Sequence, residues 1–165
     1  MFDRSIIQAR RAAAKNDVVG LSDDSPAHME RIRGMNKKTE ELEEIIGYHF
    51  KNKHYLIQAL THSSYANEKK LGKLGSNERL EFLGDAVLEL ISSDYLYARF
   101  TQVPEGELTK KRASLVCEPS LAYCAREFGL PQFLLLGKGE DMTGGRNRDS
   151  IVSDATEALL GAIYL

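Results

Sequence analysis

The stretch NERLEFLGDAVLELISSDYLYARF, residues 77–100, constrains the chain more than any other. It sets acids inside an apolar run, and a helix reconciles the two. Each residue of an α-helix turns by about 100°, so with Glu78 at zero, Glu81 falls near 300° and Asp85 near 340°. The three carboxylates share an arc of roughly 60°, while Leu80, Leu83, Val87, Leu90 and Ile91 fall at roughly 120–220° on the opposite side. One face is expected to pack and the other to present carboxylates. Ser76 or Asn77 is placed to cap this helix, which runs to about Phe100. Glu89 extends the acidic arc one turn beyond Asp85.

A second acid pair lies in DSIVSDATEALLGAIYL, residues 149–165. Asp154 and Glu157 share a helix face and are the only charged residues between Asp154 and Leu165. Carboxylates on a nearly apolar helix are costly unless paired or metal-bound. Neither helix offers them lysines one turn away. Acids that merely solvate a surface would account for one such helix more easily than for two. A set of carboxylates without His or Cys suits a hard cation, Mg²⁺ or Mn²⁺, better than zinc. Two such ions can activate a water and stabilise a leaving oxygen in phosphodiester hydrolysis.

The remaining segments also read as helices, so the expected fold class is all-α. Thr39 is placed to cap TEELEEIIGY, whose Leu42, Ile45 and Ile46 form an apolar stripe. HYLIQAL is a second, short helix, and NEKKLGKLGS a polar loop. Pro104 starts PEGELTKKRASLVC; Pro119 starts PSLAYCAREF, which Gly129 ends. GKGEDMTGGRNRDS reads as a mobile Gly-rich loop. It fails the spacing of a phosphate-binding loop, since Lys138 is not followed by Ser or Thr. The last helix starts near Ser150 and is still periodic at Leu165, so a chain truncated in this helix is expected. Residues 1–35 mix Gly, Ser, Asp and Pro without a sustained period and read as a flexible or disordered extension to a domain over residues 36–165. Met35 is placed to be a natural first residue, with the segment before it an extension.

With 165 residues, 42% hydrophobic and 28% charged, the chain fits one ordinary soluble domain. No apolar run approaches the roughly 20 residues of a membrane span, and no secretory signal opens the chain. A cytoplasmic location is the default expectation. The net charge of −2 argues weakly against a nucleic-acid partner. Acids that hold cations, however, lower the sum without repelling a phosphate substrate. Cys117 and Cys124 on one helix would stand about 10 Å apart, too far for a disulfide. They are expected to be reduced, buried thiols. Lys110, Lys111 and Arg112 read equally as phosphate contacts or as a solvated face. His62, with Ser63 and Ser64, reads first as a helix cap and second as a donor to a nucleic-acid partner. Arg146 and Arg148 are candidate contacts to the same partner on the Gly-rich loop.

NERLEFLGDAVLEL resembles the signature of the ribonuclease III family of double-stranded-RNA endonucleases. ALTHSSYANE, PEGELTKKRASLV and SIVSDATEALLGAIYL follow in the family's order, so the resemblance covers about Lys37 to Leu165. It implies an all-α nuclease domain that forms a homodimer. It implies Mg²⁺-dependent cleavage of duplex RNA, with Mn²⁺ as a substitute, to 5′-phosphate and 3′-hydroxyl ends with short 3′ overhangs, in rRNA and mRNA processing. By position, Glu81, Asp85, Asp154 and Glu157 match the metal-binding acids, with Asp85 and Glu157 as the catalytic pair. Glu78 and Glu105 match auxiliary acids of the same valley. The double-stranded-RNA-binding domain that follows in common bacterial members has no counterpart in this sequence. Two rival readings remain: the same fold kept as a non-cleaving RNA-binding module, and a helical structural protein with solvating acids.

Overall fold

The computed structural model describes residues 37–165, and the expected extension over residues 1–35 lies outside them. Eight α-helices follow one another in the described residues: α1 (residues 37–46), α2 (Lys53–Ala59), α3 (Ser63–Glu68), α4 (Glu78–Arg99), α5 (Glu105–Val116), α6 (Glu118–Glu127), α7 (Lys138–Met142) and α8 (Asp149–Tyr164). Short 3₁₀ turns span Leu130–Phe133 and Gly145–Asn147. No strand forms among the described residues, and a single parallel bridge joins Thr61 to Leu135.

The apolar α8 is the central post. Its Val152, Ala155, Ala158, Leu159 and Ala162 are buried against α4, α6 and α2. Leu42, Leu56 and Leu130 are fully buried around it, each contributing about 1.5–3 kcal/mol of hydrophobic stabilisation. The α4–α8 crossing is closest where both helices have glycine. A Cβ on Gly84 would overlap the carbonyl oxygen of Glu157, and one on Gly161 would overlap that of Leu80. Gly84 interrupts a helix where alanine would be favoured by about 1 kcal/mol. Its missing side chain lets the two backbones touch.

Several local expectations are corrected. Thr39 lies inside α1, buried, because the helix already includes residue 37. Ile45 of its expected stripe is exposed, whereas Glu43 is buried. The Glu43 carboxylate accepts from the Phe50 N–H at 2.9 Å and pairs with Lys53 at 3.3 Å, which compensates its burial. Asn77 occupies the N-cap position of α4 without a side-chain cap bond, and the Ser76 hydroxyl donates to Glu78 instead. The stretch read as a Gly-rich loop folds into α7 and a 3₁₀ turn, held by Arg146 to Asp141 and Arg148 to Glu140. Neither cysteine is buried: Cys117 caps α6 and is half-buried, and Cys124 is exposed, outside the Leu121, Ala122 and Ala125 face that packs. Both thiols are free.

Leu90 and Ile91, assigned to the packing face of α4, stand 60% and 57% exposed. Helix α8 covers α4 around Leu80 and Gly84, and α5 takes over on another side around Ser93. Neither covers the stretch that carries Leu90 and Ile91. With Phe82, Tyr95 and Tyr97 they leave α4 with a large bare apolar surface, while Leu88 is half-buried.

Candidate active site

The glycine crossing sets the register of the acids. Gly84 lies between Glu81 and Asp85 on α4, and rests on the backbone of Glu157 itself. Three residues before Glu157, Asp154 points from the same face of α8. Carboxylate oxygens of Glu81, Asp154 and Glu157 consequently lie within 4.8 Å of one another, all half-buried.

No lysine or arginine neutralises them among the described residues, and the electrostatics register this. Burial, then the charges of Asp85, Asp154 and Glu81, push the Glu157 carboxyl up to about 7. Burial, then Asp154, Glu78 and Asp85, raises Glu81. Asp154 is raised by burial and by Glu118 at the start of α6, partly offset by His62 and by a hydrogen bond with Ser153. Groups that favour the neutral form so strongly when alone gain most from a cation. An octahedral Mg²⁺ bound at about 2.1 Å has ligand oxygens roughly 3–4 Å apart. The three acids thus fit a hard divalent cation after a small closure. The donor set, all oxygen, is that of Mg²⁺ or Mn²⁺ rather than zinc.

The other expected site residues divide. Asp85 is exposed one turn along α4; its charge acts on Glu81 and Glu157, but its oxygens stand outside the cluster. Glu78 is likewise peripheral, accepting from Ser76 at 2.9 Å. Glu105 is not brought to the cluster within one chain. It accepts from Thr109 at 2.7 Å and lines a groove of about 250 Å³ with Tyr97 and Arg112. His62 caps α3 through Nδ1 and lies close enough to Asp154 to act on its charge. Lys111 sits over the Phe100 ring at 5.1 Å, and Lys110 is exposed. Arg146 donates to Asp141 and to the carbonyls of Pro131 and Leu134. Arg112 pairs with Glu89 at 2.8 Å and donates to Ser93, which takes Glu89 out of the acidic arc.

Over residues 52–165 the chain matches the family described as Ribonuclease-III-like. The chain belongs to the ribonuclease III family. It is 60% identical over 124 residues to Ribonuclease 3 of Caldanaerobacter subterraneus subsp. tengcongensis, covering 75% of this chain and 54% of that protein. To Ribonuclease 3 of Enterococcus faecalis it is 56% identical over 130 residues, covering 79% and 56%. The chain thus spans about half the length of the curated relatives it matches. Among solved structures, the nuclease domain of ribonuclease III from Campylobacter jejuni superposes with a TM-score of 0.70 at 47% identity, over 76% of this chain and 83% of that one. That study concerns structural flexibility in the region involved in dimer formation of the Campylobacter domain. The ribonuclease III nuclease-domain fold expected from the signature is therefore the fold observed.

Gly84, Gly161 and Glu118 were not singled out by the sequence. A glycine in the middle of a strongly periodic helix is the available signal for a close backbone approach.

Proposed function

We propose that this ribonuclease III family chain is an endoribonuclease that hydrolyses double-stranded RNA with Mg²⁺, to 5′-phosphate and 3′-hydroxyl ends with short 3′ overhangs, in cytoplasmic rRNA and mRNA processing. The observation that carries the reading is the convergence of Glu81, Asp154 and Glu157, unneutralised, at a crossing built to bring them together. Bound divalent cations would supply an activated water and charge stabilisation at the phosphate. Glu81, Asp154 and Glu157 would hold the first ion, and Asp85, one turn away and open to solvent, would complete the ligand set from the substrate side. Glu78 orders the rim through Ser76. Duplex RNA presents phosphates and 2′-hydroxyls rather than base edges, so shape governs recognition.

A duplex has two strands of opposite polarity, which two identical sites related by a two-fold axis would match. The exposed Phe82, Leu90, Ile91, Tyr95 and Tyr97 along α4 support a homodimer, because so much bare apolar side chain on one helix points to an interface.

The test is cleavage of a labelled RNA duplex and of its separated strands, with Mg²⁺ and with chelator. Duplex-specific, Mg²⁺-dependent cleavage that Glu157→Gln abolishes while RNA binding persists is the expected result. Binding without cleavage by the wild type would favour the non-cleaving module instead.

A further inference from the structure

The segment carrying His62 is mounted more firmly than a helix cap requires. The N–H of His62 donates to the Leu135 carbonyl at 3.1 Å, and the N–H of Leu135 donates to Leu60 at 2.8 Å. On the other side the N–H of Asn77, at the start of α4, donates to Thr61 at 2.8 Å. The loop before α3 is thereby fixed both to the strand-like residues before α7 and to the helix that carries Glu81.

A relay then fixes the imidazole. The N–H of Gly137 donates to the Ser64 hydroxyl oxygen at 2.9 Å. That oxygen lies 2.8 Å from His62 Nδ1, and the Ser64 backbone N–H also donates to Nδ1, at 3.3 Å. In the neutral ring, an Nδ1 that accepts from this backbone N–H leaves the proton on Nε2, the tautomer the arrangement favours. Gly137 is itself confined here, since a Cβ would meet the Ser64 carbonyl oxygen at 2.8 Å. Among the described residues Nε2–H has no hydrogen-bond partner, yet the ring is half-buried at the Asp154 side of the acidic cluster. A fixed donor beside an anionic site, open to solvent and without a partner among the described residues, is free to meet an external acceptor.

We propose that His62 is a substrate-contacting residue whose Nε2–H donates to a phosphate oxygen of the RNA at the rim of the acidic cluster, and that Ser64, itself held by Gly137, is the positioning residue that fixes this tautomer. The contact seats the backbone beside Asp154 in an otherwise acid-lined site. It rests on the duplex-RNA reading above and adds one named contact to it.

The variants separate the donor from the cap. His62→Asn keeps a side-chain oxygen able to accept from Ser64 N–H, and Asn is among the best N-cap residues, but it lacks a donor at the Nε2 position. Its melting temperature should match that of the wild type. Its dissociation constant for a short RNA duplex, measured with Ca²⁺ in place of Mg²⁺ to prevent cleavage, should rise about tenfold, as for loss of a hydrogen bond to a charged group. Long-range ¹⁵N–¹H spectra of the free wild-type protein should show the Nε2–H tautomer at His62, and the duplex should shift that resonance. In Ser64→Ala the tautomer should become mixed. An Nδ1–H tautomer in the free protein, a resonance unmoved by bound RNA, or wild-type affinity in His62→Asn would each overturn the proposal and leave the nuclease reading intact. A wild type that binds no duplex would overturn both.

Discussion

Gly84→Ala should damage this protein far beyond the size of a methyl group. The new Cβ would lie inside the space of the Glu157 carbonyl oxygen, and the atoms around it are backbone, which has no rotamer to change. Helices α4 and α8 would have to part by about an ångström or more. Overpacking a core costs about 1–3 kcal/mol when side chains absorb it, and here they cannot. Alanine's better helix propensity returns only about 1 kcal/mol. A net loss of about 2 kcal/mol, roughly 5–10 °C in melting temperature, is expected. Activity should fall further than stability, because the displaced segment carries Glu81, Asp85 and Glu157, and misplacement by about 1 Å costs on the order of 100-fold. The assay pairs thermal melting with Mg²⁺-dependent duplex cleavage at a temperature where the variant is folded. Gly106→Ala is the control: nothing lies within 4 Å of its Cβ, so it should be neutral or slightly stabilising. If Gly84→Ala melts and cleaves like the wild type, the crossing does not set the register of the acids.

Without divalent metal, the raised Glu157 pKa of about 7 means that the folded state holds its proton more tightly than the unfolded state. This group's unfavourable contribution should therefore appear as pH rises from about 4.5 to about 7 and be absent below that window. Metal-free Glu157→Gln should then be more stable than wild type at pH 8, by about 1 kcal/mol once solvent screening of a half-exposed group is discounted, and the gap should close by pH 4.5 in urea melts. Mg²⁺ should reverse the order at pH 8 by stabilising only the wild type. Arg112→Ala should lose about 1–2 kcal/mol in the same melts, because the guanidinium ties α5 to α4 through Glu89 and Ser93. Mixed dimers of wild-type and Glu157→Gln chains should nick one strand of a duplex and leave the other whole; cleavage of both strands at normal rates would refute the paired-site reading.

The helical period carried the site most of the way. It put Glu81 and Asp85 on one face and Asp154 and Glu157 on another, because residue spacing within a helix is a local property. What joined the faces was not local. The Gly84–Gly161 contact depends on two helices more than 70 residues apart in sequence meeting at a given height. The same limit explains Leu90 and Ile91, whose burial depended on where α8 crosses rather than on their own spacing. Charges were the least legible part. Arg146 and Arg148 read as candidate RNA contacts in a glycine-rich run, but their partners Asp141 and Glu140 lie within the same run and hold it in α7 and the turn that follows. Glu105 matched the family's acids by position, yet its place beside Tyr97 and Arg112 could be read only from the packing of α5 on α4.

The most direct test of the central claim is anomalous scattering from crystals of the wild-type domain soaked in Mn²⁺. A peak within coordination distance, about 2.1–2.3 Å, of oxygens from Glu81, Asp154 and Glu157, lost in Glu157→Gln crystals, is the predicted result. A saturated crystal with no manganese between α4 and α8, or with manganese held only by other acids, would contradict it.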